Sequence, residues 1–239
     1  MDILRVFAIL SLFSSVLRSE DKLNTLQTKA DGGDAQAAYE LAEVLYWANG
    51  VERDLGQATD YALVGALKSN PLAQYRYAVM QLLGHGVKQD VRAGYKMLAE
   101  AMPGLQKLAE EGNPDALYKT GKLHQMGLCK TDRFNPNNQR ALANFRAAAA
   151  LGHARATFFV AEMIRLGLGA PRNSFKALNL YKESADAGFA YAAFSIWIMH
   201  DIEGEKVVPQ EDALRYLKQA AESGLKEAQR EYGVALGEG

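Results

Sequence analysis

The stretch YKTGKL, residues 118–123, contains Lys119, Thr120 and Gly121. A Lys-Thr-Gly triplet closes the active site of serine enzymes whose nucleophile comes from a Ser-x-x-Lys stretch, and acyl transfer follows. That chemistry needs the serine upstream of the triplet. The chain offers Ser19-Glu-Asp-Lys22, beside an apolar N-terminal run, and Ser223-Gly-Leu-Lys226, downstream at a helix-ending turn. Order and context are wrong in both. A serine hydrolase acting on β-lactam-type substrates therefore stands only as an alternative function.

Other chemistry is equally thin. The glycine pairs of GHGV (84–87) and GLGA (167–170) follow no strand pattern and lack a third glycine, so they read as turns, not phosphate loops. Cys129 is the only cysteine, which excludes an intrachain disulfide and a cysteine-based metal cluster. His124 and His200 take equivalent places in two copies of a repeated segment, too far apart to share one metal. His85 and His153 fall in turns, with no partner legible in the sequence. No catalytic residue, metal or cofactor is expected.

The totals narrow the class further. The 239 residues are 49% hydrophobic with only 6 prolines, ample material for a core. Lys and Arg number 27 against 28 acidic residues, a net charge of −1, so no basic surplus exists to neutralise a nucleic-acid backbone. Arg5 precedes an apolar and hydroxyl run from Val6 to Leu17, too short to span a bilayer but the length of a secretory signal core. Residues 1–19 are read as a signal peptide and 20–239 as the folded domain, in a secreted or periplasmic protein. No Asn-x-Ser/Thr acceptor occurs.

What positions all of these residues is a repeat. AAYELAEVLYWANGV from Ala37, AQYRYAVMQLLGHGV from Ala73, ALYKTGKLHQMGLCK from Ala116, ATFFVAEMIRLGLGA from Ala156, AAFSIWIMHDIEGEK from Ala192 and AQREYGVALGEG from Ala228 align. The starts lie 36, 43, 40, 36 and 36 residues apart. An aromatic residue stands at the third position of the first five. The sixth holds Ala42, Ala78, Gly121, Ala161 and Gly233, small enough for helix backbones to approach closely; Trp197 breaks the rule and demands a local rearrangement. A second helical signature follows each of the first five copies, as in NSFKALNLYKESADAG, and usually ends in Gly. Each unit is thus a helix pair whose apolar face can be buried only by stacking on neighbours.

The pattern AQYRYAVMQLLGHGVKQD followed by KALNLYKESADAG resembles the Sel-1-like repeat, a relative of the tetratricopeptide repeat. The likeness covers roughly residues 35–239, and LQTKADGGDA (26–35) resembles the tail of a preceding second helix. It implies an all-α fold, a right-handed α-solenoid of antiparallel helix pairs with about five repeats and terminal half-repeats, serving as a non-enzymatic scaffold or adaptor. Two departures stand out. Seven extra residues lie in VRAGYKMLAEAMPGLQKLAEEG (91–112), where Pro103 is expected to kink or split the helix. Four more lie in CKTDRFNPNNQ (129–139).

At 100° per residue, positions one, five, eight and nine of each first helix form an apolar stripe. Positions three, seven and ten face the other way, and the resemblance implies that they line a concave groove. The candidate partner-binding residues are Tyr39, Glu43 and Tyr46; Tyr75; Tyr118, Lys122 and Gln125; Phe158, Glu162 and Arg165; and Phe194 and Asp201. The aromatics either offer contact area to a ligand or wedge between successive helices. Lys119, at position four, is expected on a solvated face. The partner expected is another protein, offering a peptide segment or helix, within a membrane-associated complex or free; a small-molecule or glycan carrier is the other alternative. The unpaired last helix is a further place where another molecule could stack.

Overall fold

The computed structural model describes residues 23–47, 53–128, 137–204 and 206–237. The apolar N-terminal run, Cys129 and residues 129–136 of the second insertion lie outside them. Twelve helices and no strand occur among the described residues. They are α1 (residues 23–31), α2 (Ala35–Trp47), α3 (Leu55–Leu67), α4 (Pro71–Leu83), α5 (Val91–Glu110), α6 (Pro114–Met126), α7 (Asn138–Ala150), α8 (Ala154–Leu166), α9 (Ser174–Asp186), α10 (Ala190–Glu203), α11 (Gln210–Glu222) and α12 (Lys226–Ala235).

Many of the helices start and stop for local reasons. Asp54, Asn70, Asn113, Asn137 and Asn173 cap α3, α4, α6, α7 and α9 by accepting hydrogen bonds from first-turn amides. Gly84, Gly127 and Gly167 end α4, α6 and α8 in the left-handed conformation, with φ of 70°, 75° and 71°. The turns then pack tightly. A Cβ on Gly86 would lie 1.9 Å from the Leu55 carbonyl oxygen, and one on Gly169 would lie 2.6 Å from that of Asn138. In both, the turn after one first helix rests on the start of the preceding second helix, where only a bare backbone fits.

The chain divides into two compact units between Met102 and Pro103. In the first, α2 packs on α3 and α4, and α3 on α4. Its core gathers Ala30, Ala37, Leu41, Ala42, Ala58, Ala62 and Met80. In the second, α6–α7, α8–α9 and α10–α11 are helix hairpins, joined in series through α7–α8, α9–α10 and α11–α12. The fold class is the one the repeat predicts. Helix α5 contains Pro103 but runs on from Val91 to Glu110, so the proline does not split it. Proline removes one amide donor at the middle of the helix, and the bonds of the flanking turns carry the helix past it.

Small residues at position six work as expected where helices meet. Ala42, Ala78 and Ala161 are fully buried, and a Cβ on Gly121 would fall 2.7 Å from two atoms of the Phe145 ring. Gly233 is different, with no atom within 4 Å of such a Cβ. The fifth repeat accommodates Trp197 by leaving it half-buried and stacked on His200, with ring centroids 6.1 Å apart. Helix α10 then ends at Gly204 with φ 81° and ψ 176°, unlike the other first helices.

Candidate functional site

The third-position aromatics divide into two groups. Tyr39, Tyr75 and Tyr118 are only 1%, 5% and 4% exposed, so they wedge into the packing and present little area to a partner. Tyr118 stacks on His153 at 4.9 Å and lies 5.7 Å from the Phe159 ring. Phe158 and Phe194 are half-buried. Phe158 meets Phe159, Tyr181 and Phe189 at 5.1–5.7 Å.

Position seven carries the distinctive chemistry, because in two repeats it meets position four of the next first helix. In the first unit, Glu43 on α2 accepts hydrogen bonds from Arg76 on α4, at 2.8 Å from Nε and 2.7 Å from Nη2. Both side chains are buried. The Arg76 guanidinium lies 4.2 Å from the Tyr46 ring centroid, and Trp47 Nε1 donates to the other Glu43 oxygen at 3.1 Å. Burial works to lower the Arg76 pKa, but Glu43 outweighs it and holds the guanidinium above its ordinary value. Tyr46, at position ten, is buried and shares a 2.9 Å hydrogen bond with His85 Nδ1. Burial, then Arg53 and Arg76, push the His85 pKa down.

The same register in the second unit brings different residues together. Lys122 on α6 places its ammonium 4.2 Å from the centroid of Phe159, the fourth residue of the α8 repeat. Among the described residues its one hydrogen bond goes to Gln125 Oε1 at 2.9 Å. Burial lowers the Lys122 pKa to about 8. One repeat later, Glu162 is closed from within its own repeat. It accepts from Arg165 Nη2 at 3.0 Å and from the Tyr181 hydroxyl, which itself accepts from Arg165 Nε at 3.1 Å. Burial and the Glu162 carboxylate raise the Tyr181 pKa. Asp201 is exposed.

Position eleven, outside the three sequence-selected positions, forms an exposed apolar series. Leu83, Met126, Leu166 and Ile202 are 54%, 39%, 53% and 63% exposed, and Ile198, one turn before Ile202, is 40% exposed. With Trp47 in the first repeat, each of the first five copies carries a large apolar residue there, a signal visible in the alignment itself.

The Sel1 repeat family profile matches residues 35–69, 71–101, 114–153, 154–189 and 201–225. The chain belongs to the Sel1 repeat family. The fifth match begins only at residue 201, beyond Trp197. The chain is similar to chitin synthase regulatory factor 3 of Schizosaccharomyces pombe, 26% identical over 80% of this chain and 24% of that protein. It is also similar to chitin synthase regulator SKT5 of Saccharomyces cerevisiae, 22% identical over 89% of this chain and 31% of that one. It thus spans about a quarter to a third of the length of these relatives. Among solved structures, a Sel1 repeat protein from Klebsiella pneumoniae matches with a TM-score of 0.52 and 18% identity, covering 88% of this chain and 97% of that chain. Pseudomonas aeruginosa protein 5086 matches with 0.51 and 24%, covering 85% and 74%. At such identities the likeness establishes the fold alone.

The Lys-Thr-Gly triplet sits inside a Sel1 repeat helix. Lys119 is 0% exposed, which overturns its placement on a solvated face. Position four is flanked along the helix by positions one and eight, here the fully buried Ala116 and Leu123, so it turns inward with them. Thr120 is 7% exposed and Gly121 lies against Phe145, so the triplet offers no surface to a substrate.

Two other histidines gain partners as well. His153 caps α8 by accepting from the Ala156 amide on Nδ1 at 3.0 Å, so the neutral ring carries its proton on Nε2 and donates to Asp115 Oδ1 at 3.0 Å. His200 Nδ1 donates to the Val208 carbonyl at 2.7 Å. Among the described residues, no three His, Cys, Asp or Glu side chains are grouped to hold a metal ion, and no helix is long and apolar enough to cross a membrane.

Proposed function

We propose that this Sel1 repeat chain is a non-catalytic adaptor that binds a segment of another protein on the exposed face of its first helices. The observation that carries the reading is the contrast between frame and face. Position six and the apolar stripe repeat with little change, whereas positions seven and ten carry a different set in each repeat and lie beside the exposed apolar Leu166, Ile198 and Ile202. Rigid apolar side chains between fixed charges supply contact area at little entropic cost. The names of the fungal relatives, regulators of chitin synthase, support a role exercised by binding. The near-zero net charge argues against nucleic acid as the partner. The Val6–Leu17 run supports export to a periplasmic or extracellular compartment, beside or within a membrane-associated complex.

Replacing Ile198 and Ile202 with Asp removes the exposed apolar contacts without entering the core. Partner capture from the native source should be lost while the helical circular dichroism is unchanged. Retained capture by the folded variant would move the site off this face. Mass spectrometry of the mature protein should find a chain starting near Glu20; a retained Met1 would end the export proposal.

A further inference from the structure

The geometry points to Lys122 as a receptor for a partner's carboxylate, with Met126 beside it receiving an apolar side chain. The occupant is therefore an extended acidic peptide segment, and this inference rests on the adaptor reading.

Charge complementarity selects this occupant. Three first helices carry a charge at position seven, and two of these charges are neutralised within the fold. Glu43 is held by Arg76, and Glu162 by Arg165 and the Tyr181 hydroxyl. Lys122 is the exception. Its ammonium has three donors, of which one is used on the neutral Gln125 amide oxygen, while the Phe159 face covers one side. No carboxylate of the described residues lies within ion-pair distance of it. A half-buried ammonium so placed is short of both water and counter-charge, and a carboxylate supplies what is missing. The amine's lowered pKa is what such incomplete solvation produces.

The neighbouring apolar site sets the spacing. Met126 lies one turn beyond Lys122 on α6 and is 39% exposed. Four residues of helix advance about 6 Å. Two residues of extended chain advance about 6.7 Å. An acid and a large apolar residue separated by one intervening residue therefore match the pair. Leu166, at the equivalent position of α8, is exposed as well.

The probe is the peptide Leu-Ser-Glu-Ser-Leu, blocked at both ends and carrying a carboxylate-free fluorophore, titrated with the full chain and read by polarisation. Its sequence presents the acid–apolar spacing in both chain directions. Replacing its Glu with Gln should weaken binding about tenfold, the size of a charge-assisted hydrogen bond. Lys122→Met should bind both peptides alike, at the affinity of the Gln form. Lys96→Met, at an exposed lysine of α5, should keep the full preference. Met126→Ser should weaken both peptides about fivefold and leave their ratio unchanged. Bound Glu peptide should also slow acylation of the Lys122 amine, read by mass spectrometry. Equal affinity for the two peptides, a preference that survives Lys122→Met, or no saturable binding at millimolar peptide would each overturn the inference. The adaptor reading would then still be judged by the Ile198 and Ile202 capture experiment, which does not involve Lys122.

Discussion

Between α2 and α4 in the first unit, position seven meets position four as Glu43 and Arg76, a buried ion pair roofed by Tyr46 and Trp47. Between α6 and α8 in the second, the same register brings Lys122 onto the Phe159 ring. One repeat geometry thus builds a closed electrostatic contact in one place and an open one in another. The frame fixes which positions meet, and the residues placed there decide whether the contact serves stability or remains available to a partner.

The largest effect expected from this contrast is in the closed contact. Arg76→Ala leaves the Glu43 carboxylate buried without its cation and should cost about 3–5 kcal/mol in chemical denaturation. The double change Glu43→Leu with Arg76→Met should recover most of that loss, because a pair of apolar side chains leaves no charge stranded. An additive double mutant would break the pairing. Next comes Gly121→Ala, which forces a methyl group against the Phe145 ring beneath the open contact and should cost about 1–3 kcal/mol. If it costs nothing, α6 and α7 are less tightly closed than the geometry requires.

A smaller effect concerns the caps that precede the second helix of each contact. Asn70 caps α4 and donates to Gln36 Oε1 at 3.2 Å, near the start of α2; His153 caps α8 and reaches Asp115, near the start of α6. His153→Ala should cost about 1 kcal/mol in thermal or chemical unfolding. His153→Asn should restore most of it by accepting the same amide proton.

The smallest effect is the one that sharpens the contrast. Burial holds the Lys122 amine at about 8, below its ordinary 10.5. The charged form is therefore penalised in the folded state. Below about pH 8 both folded and unfolded chains are charged and the penalty is complete, and it fades as pH rises toward 10.5, where the unfolded chain also releases its proton. Lys122→Met should thus be more stable than the natural chain near pH 7, by roughly 1 kcal/mol once the hydration left to this half-buried ammonium discounts the full linkage of about 1.4 kcal/mol per pKa unit. The difference should shrink between pH 8 and pH 10.5. A pH-independent difference would mean that the ammonium is fully hydrated and lacks nothing that a carboxylate would supply.

Much of the architecture was legible because each local signal had one structural solution. The small residues at position six and the helix-ending glycines recur at repeat spacing, and the helices pack and end where those residues stand. The candidate face was legible only in part. A stripe calculation treats a helix as isolated, so it could not decide whether Tyr39, Tyr75 and Tyr118 face a ligand or wedge between helices, and they lie under the next layer of packing. For the same reason it put Lys119 in solvent. Arg76 and Phe159, which decide the character of position seven, drew no attention, since position four looks merely variable in an alignment. The apolar series at position eleven could have been found by reading one more column.

The sequence by itself determined the helix pairs, their repeat and the places where backbones approach, because capping, helix stops and side-chain volume act over a few residues. Only the tertiary structure decided that position seven of one first helix meets position four of the next, and so that Glu43 is neutralised while Lys122 is not. That pairing depends on how one helix is displaced and rotated against its neighbour, a quantity summed over every side chain between them and written in no single residue.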